Sequence, residues 1–165
     1  MKRFLISIFA VPARRLLIIP VLFLTLMVGN PVYSADFQKG LTAAQSGDYA
    51  TALREWTPLA KQGNADAQYN LGQLYKRGQG VPQDDKTAVK WYRLAAEQGH
   101  PSAQTNLGLM YAMGTGVIKG NVYAHMWWNI AASSGNKNAT KNRDIVAKRM
   151  TPSQLEKAQK LVREC

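Results

Sequence analysis

A block of 36 residues occurs twice in tandem in this chain. Residues 65–100 laid over 101–136 match without a gap at 14 positions. The first half of the match holds Ala67/Ala103, Gln68/Gln104, Asn70/Asn106, Leu71/Leu107, Gly72/Gly108, Tyr75/Tyr111, Gly78/Gly114 and Gly80/Gly116. The second holds Val81/Val117, Ala88/Ala124, Trp91/Trp127, Ala95/Ala131, Ala96/Ala132 and Gly99/Gly135. A period of this length is the mark of a protein built by stacking one small unit on the next.

Inside the unit, Ala67, Leu71, Leu74 and Tyr75 recur at i, i+4, i+7 and i+8, the spacing of one helix face. This predicts a first helix, A, stopped by Gly78 and Gly80, since glycine takes the left-handed conformations that end helices. Pro82 keeps the next stretch extended. Asp84 or Asp85 then caps a second helix, B, whose Ala88, Trp91, Tyr92, Ala95 and Ala96 again keep helical spacing, with Gly99 at its end. The small residues lie where the two helices approach closely, and Trp91, Tyr92 and Tyr75 supply bulk around them.

One hairpin cannot cover its own apolar faces, so the units must stack into an all-α, short solenoid of helix-turn-helix repeats, with helix A on its inner wall. A shortened copy precedes the two full ones, because Ala52, Trp56, Ala60, Gln62 and Gly63 match Ala88, Tyr92, Ala96, Gln98 and Gly99 at the same offset. In that copy Pro58 removes a backbone donor to Arg54, which predicts a kink or an early end. Thr151-Pro152-Ser153-Gln154 reads as an N-cap, a proline at the first helical position and a capping-box glutamine.

The first 35 residues stand apart. They carry Lys2, Arg3, Arg14 and Arg15, no acid, and an apolar run from Leu16 to Gly29 before small and polar residues. This is the order of a secretory signal peptide, with cleavage expected after Ser34 or Ala35; an uncleaved anchor is the alternative, and the Arg14-Arg15 pair hints at twin-arginine export. The expected organisation is therefore a leader over 1–35, a divergent repeat over 36–63, full repeats over 64–100 and 101–136, and a basic capping region over 137–165.

Without the leader the formal charge falls from +11 to +7, and the last 29 residues carry eight basic against three acidic side chains. Such a positive field suits anionic lipid, an acidic protein or nucleic acid, but export argues against nucleic acid, and a solvated cap is the simpler reading. Cys165 is the only cysteine. It forms no intrachain disulfide and leaves only pairing with another chain, so stability must come from packing.

The motifs Ala67-Gln68-Tyr69-Asn70-Leu71-Gly72, Tyr75, Gly78-x-Gly80-Val81, Ala88, Trp91-Tyr92, Ala95-Ala96 and Gln98-Gly99, echoed from Ala103 to Gly135, resemble the Sel1-like repeat family, relatives of the tetratricopeptide repeats. With the divergent copy the resemblance covers residues 37–136. It implies a superhelical scaffold for protein–protein contacts, in many exported members an element of the bacterial envelope. Some exported relatives carry paired cysteines in each repeat, and binding or cleavage of β-lactams has been proposed for those; this chain lacks such cysteines, so that activity is not carried over.

The residues give little purchase to catalysis. His100 falls in an inter-repeat turn and His125 on helix B, 25 positions apart; neither has a carboxylate partner at ligand spacing, and both are expected to be ordinary, partly exposed histidines. Asp84 and Asp85 precede a helix, where capping explains them, and Gly120-Asn121 replace them in the next repeat, keeping a cap and losing both charges. Gly78-Gln79-Gly80 lacks the strand and lysine of a phosphate loop. Asn138-Ala139-Thr140 is a bare glycosylation tripeptide. Neither a metal nor a cofactor is called for.

What remains is the part of helix A not used for packing: Asp66, Tyr69, Gln73, Lys76 and Arg77, answered in the next repeat by Ser102, Thr105, Leu109, Ala112 and Met113. By comparison with the tetratricopeptide arrangement these positions face a concave groove, and they change from polar and basic to apolar along it. The expected function is an exported, non-enzymatic adaptor or regulator that binds a protein or peptide there. The alternatives are an envelope hydrolase or β-lactam-like small-molecule binder, and a structural subunit of an envelope assembly.

Overall fold

The computed structural model describes residues 36–164; residues 1–35, where a leader is expected, and Cys165 lie outside the described residues. Eight helices and no strand occur among those described, in the order α1 (Phe37–Gln45), α2 (Tyr49–Lys61), α3 (Ala65–Arg77), α4 (Asp85–Glu97), α5 (Pro101–Met113), α6 (Asn121–Ser133), α7 (Lys137–Ala147) and α8 (Pro152–Glu164). Each helix packs on the one before it from α1 to α7, so the chain forms a helical-repeat solenoid in which α1/α2, α3/α4 and α5/α6 are the three hairpins.

Every hairpin closes in the same way. A glycine in helix A leaves a flat place on the backbone, and an aromatic ring of helix B lies on it: Trp56 on Gly40, Tyr92 on Gly72 and Trp128 on Gly108. A Cβ on Gly72 would stand 2.6 Å from Tyr92 Cδ1, and one on Gly108 2.7 Å from Trp128 Cδ1. Both indoles also donate to helix A, Trp56 Nε1 to the Phe37 carbonyl at 3.2 Å and Trp128 Nε1 to the Thr105 carbonyl at 3.0 Å. Aromatic bulk and a buried polar handle are thus satisfied together.

The A-to-B turn serves the stack as well as the hairpin. Gly78 and Gly114 end α3 and α5 in the left-handed region at φ 65° and 76°. Gly80 and Gly116 share that conformation and press the turn onto the preceding helix B, where a Cβ on Gly80 would lie 2.8 Å from Tyr49 Cβ and one on Gly116 would strike the Asp85 carbonyl oxygen. Glycine is required at both positions for two independent reasons.

Helix starts repeat on the same period. Asn64, His100 and Asn136 stand 36 residues apart, and their side chains accept from the backbone N–H of Ala67, Ala103 and Ala139 at 2.8, 3.1 and 2.9 Å. Asp84 caps α4, accepting from the Thr87 amide at 3.1 Å and its hydroxyl at 2.6 Å, which holds its carboxyl below the ordinary carboxylate range. Gly120 starts α6 without a side-chain cap, so the cap expected from Gly120-Asn121 is absent; glycine has no acceptor and Asn121 is already the first helical residue.

Two further expectations change. Pro58 does not end α2, which continues to Lys61; the Thr57 hydroxyl donates to the Leu53 carbonyl at 2.6 Å beside the gap, and the C-cap amide of Gln62 closes on Pro58 and Leu59. His125 is buried, not partly exposed, at 6 %. Desolvation and then the nearby Arg143 cation hold its imidazole below the usual histidine value, with the Asp144 charge opposing them.

After the third hairpin the repeat begins a fourth time and fails. Ala139 is fully buried like Ala67 and Ala103, and Val146 takes the place of Leu74 and Met110. At the place of Gly72 and Gly108, however, the sequence has Asp144, which leaves no flat site for an aromatic ring. Helix α8 accordingly packs against α6, with Ala158 buried and Leu161 and Val162 laid on the cluster around Trp127. Its start is the expected capping box: Thr151 N donates to Gln154 Oε1 at 3.0 Å and Gln154 N to Thr151 Oγ1 at 3.3 Å.

Candidate partner groove

The eight candidate positions fall into two sets related by the repeat. Tyr69 and Lys76 turn toward helix B; their equivalents in the next repeat are Thr105 and Ala112. The Tyr69 ring lies 5.8 Å from that of Tyr92, and Lys76 Nζ lies 3.9 Å from Asp85 Oδ1. Thr105 gives its carbonyl to Trp128 and its hydroxyl to the Pro101 carbonyl at 2.9 Å. Ala112 is half-buried in a recess of about 190 Å³ beside Trp128, Ile145 and Val146 of α6 and α7. Tyr69, Lys76 and Ala112 serve seams between helices, whereas the Thr105 side chain is spent on its own helix.

The second set is Gln73 and Arg77, answered by Leu109 and Met113. Gln73 and Arg77 line a cleft of about 250 Å³ between α1, α2 and α3, together with Leu41, Tyr49, Trp56 and Gln79. The cleft wall is tied across the repeats, since Gln79 Nε2 donates to Tyr49 Oη at 2.7 Å. Leu109 and Met113 keep 39 % and 62 % of their surface exposed. Between these equivalent positions the side chains change from an amide and a guanidinium to two exposed apolar ones.

Asp66 and His100 join the two repeats at the same edge. His100 Nδ1 accepts from the Ala103 amide, which leaves Nε2 to face Asp66 Oδ1 at 3.3 Å, and the ring stacks on Tyr69 with centroids 4.5 Å apart. His100 is thus a cap and a strut. The sequence reading gave it no role, although its place at the period shared by Asn64 and Asn136 was a visible signal.

Glu55 was also missed. Its carboxylate is 5 % exposed and holds Lys39 Nζ at 2.8 Å, Arg54 Nη2 at 3.6 Å and the Asp36 amide at 3.3 Å. The hydrogen bond from Lys39, followed by that from the Asp36 backbone, keeps it below the ordinary carboxylate range against the cost of burial. It stands where the full repeats have Trp91 and Trp127, so the first hairpin replaces an indole with an ionic clamp on the start of α1. No group of His, Cys, Asp or Glu able to hold a metal ion occurs among the described residues.

Comparison with known proteins agrees with this architecture. The Sel1 repeat family matches residues 65–100 and 101–136. A protective antigen present in uropathogenic Escherichia coli strains and displaying an SLR fold is similar at TM-score 0.73 and 34% identity, over 76% of this chain and 28% of that one. A Sel1 repeat protein from Oxalobacter formigenes is similar at TM-score 0.63 and 35% identity, over 66% of this chain and 44% of that one. This chain thus spans less than half the length of either. No match was found among curated proteins. Sel1 repeats generally mediate contacts between proteins and are typically non-enzymatic scaffolds. With two such repeats in register and an all-helical stack around them, the chain is a Sel1-repeat protein.

Proposed function

We propose that this chain is an exported, non-enzymatic adaptor of the cell envelope that captures an extended segment of a partner protein along Gln73, Arg77, Leu109 and Met113. The observation that carries the reading is the division of helix A by its own repeat. Positions that hold the hairpin recur as glycine, alanine and leucine, whereas the outward positions differ between repeats and leave Leu109 and Met113 exposed. Exposed apolar side chains on one repeat and a cation at the equivalent place on the repeat before it suit a segment with an acidic or polar end and an apolar end. The basic and apolar leader over 1–35 supports export.

The test places a photo-crosslinking residue at Arg77 and, separately, at Met113 in the full chain expressed in its own host, with Lys90 on helix B as the control position. Capture of one and the same protein from both groove positions, and not from Lys90, is the expected result. Equal capture from Lys90 would remove the groove from consideration.

A further inference from the structure

An exposed stripe of α4 carries a row of cations that the repeat does not account for. Lys86, Lys90 and Arg93 stand at i, i+4 and i+7, so they share one side of the helix over about two turns. One repeat earlier the same places hold Ala50, Arg54 and Thr57, and one repeat later Val122, Met126 and Asn129. No carboxylate comes within ion-pair distance of the three cations among the described residues. The acids around them face elsewhere: Asp84 caps α4 through Thr87, Asp85 faces Lys76 at 3.9 Å, and Glu97 lines a recess formed with α6, α7 and α8. Arg93 Nη2 does donate, at 2.8 Å, but to the neutral Tyr111 hydroxyl. Like charges at this spacing repel one another, and an anionic partner would relieve them.

Among these cations runs an apolar trough of about 580 Å³, walled by Val89 and Leu94 of α4 and by Val117 of the turn between α5 and α6. Gly116, at φ 70°, seats that turn against the start of α4. Ile118 follows Val117 and is 92 % exposed, where the preceding repeat has Pro82; Leu94 is 44 % exposed, where the first hairpin has Pro58. The departures Ala50 to Lys86, Thr57 to Arg93, Pro58 to Leu94 and Pro82 to Ile118 thus each add a cation or an exposed apolar side chain to one surface.

Charge and shape together choose the occupant. The trough lining holds cations and no acid, which disfavours a basic segment such as residues 1–35 or the C-terminal region of a second copy. A protein partner would offer anchors for the trough alone, whereas Ile118 projects into water with nowhere on its own chain to go. A bilayer takes up a projecting apolar side chain, and cations beside it add attraction to anionic headgroups. We infer that this face of α4 docks on a membrane containing anionic phospholipid, with Lys86, Lys90 and Arg93 among the headgroups and Ile118 and Leu94 at the acyl boundary. The surface is separate from the helix-A groove and independent of what binds there.

The test places a polarity-sensitive dye on Ile118→Cys in the full chain carrying Cys165→Ser. Vesicles of phosphatidylglycerol and phosphatidylcholine in equal parts are compared with vesicles of phosphatidylcholine alone. The dye reports entry of this turn into the bilayer, so tethering through residues 1–35 or through the basic C-terminal helices does not by itself give a signal. A blue shift with the anionic vesicles, absent with the neutral ones and lost in concentrated salt, is expected. Lys86→Glu combined with Lys90→Glu should raise the lipid concentration needed at least about tenfold, with the helical spectrum kept. Lys141→Glu combined with Lys157→Glu, an equal change in net charge, should move it by no more than about twofold. No shift with anionic vesicles, an equal shift with neutral ones, or an equal loss in both charge variants would each overturn the inference. A response to poly-glutamate matching that to vesicles would overturn it too, giving the face to an acidic protein; only the comparison of charge variants needs a further substitution.

Discussion

The ring of Tyr92 lies flat against the backbone of Gly72, so close that a Cβ there would stand 2.6 Å from Cδ1 and 2.7 Å from Cε1. Tyr92 is 1 % exposed, and burial raises its phenol well above the ordinary tyrosine value. Gly72→Ala therefore forces the two helices of the hairpin apart. The expected cost is about 1–3 kcal/mol of overpacking, read as a fall in thermal midpoint by circular dichroism. Gly108→Ala, against Trp128, should behave alike, because the hairpins share one seam.

Glycines of the turns should separate by what they touch. Gly116→Ala meets both a φ of 70° and the Asp85 carbonyl, whereas Gly135→Ala meets a φ of 83° with open space around it. The second is expected to cost about 1 kcal/mol from backbone strain alone. The first should cost clearly more, with unfolding of the paired variants giving the order.

Acid should weaken the fold in two steps. His125 has a folded value below the ordinary 6.5, so the unfolded chain takes up a proton that the folded chain resists; stability falls as pH drops below about 6.5 toward the folded value and is unaffected above it. Glu55, also lowered, contributes above its ordinary 4.5 and loses that contribution as pH falls through its folded value. Urea unfolding between pH 7.5 and 3.5 should show both slopes. His125→Met should flatten the first and leave the second; an unchanged first slope would place its source elsewhere.

Binding and stability should come apart along helix A. Arg77→Glu and Met113→Asp are expected to weaken partner capture about tenfold or more while moving stability by no more than about 0.5 kcal/mol, as surface changes do. Tyr69→Ala should do the reverse, since its ring packs on both Tyr92 and His100. Affinity that follows Tyr69 and ignores Met113 would count against the division of the face.

Removing residues 151–165 takes away Ala158, Leu161 and Val162 and bares Trp127. The shortened chain is expected to keep its three hairpins, lose a few kcal/mol of stability and bind a hydrophobic dye. Scanning calorimetry with dye fluorescence checks both.

The hairpins were legible because their seams use residues that repeat. Gly72, Ala88, Ala95 and Ala96 announce close approach by size alone, and the 36-residue offset tells which faces meet. Less was legible of the candidate site. Tyr69, Gln73, Lys76 and Arg77 stand at i, i+4, i+7 and i+8 and share one helix face, so spacing alone does not separate them; what draws Tyr69 and Lys76 to the seam is where Tyr92 and Asp85 lie. His125 carries a polar label but occupies a core position, since burial follows helix phase more than residue type. Glu55 and Lys86 are departures from the repeat, and a departure signals that something differs without saying what.

The caps at Asn64, His100 and Asn136 divide the chain into interchangeable lengths, each opening on a side chain that accepts from the third residue onward. A segment copied from one cap to the next would enter the stack as a whole layer, with its glycine seat, its ring and its turn already matched to both neighbours. Such a copy placed between the second and third layers would leave α8 on its present support. Lengthening the molecule is thus a matter of counting layers in the middle, and the face of α6 that α8 covers would travel outward with the last of them.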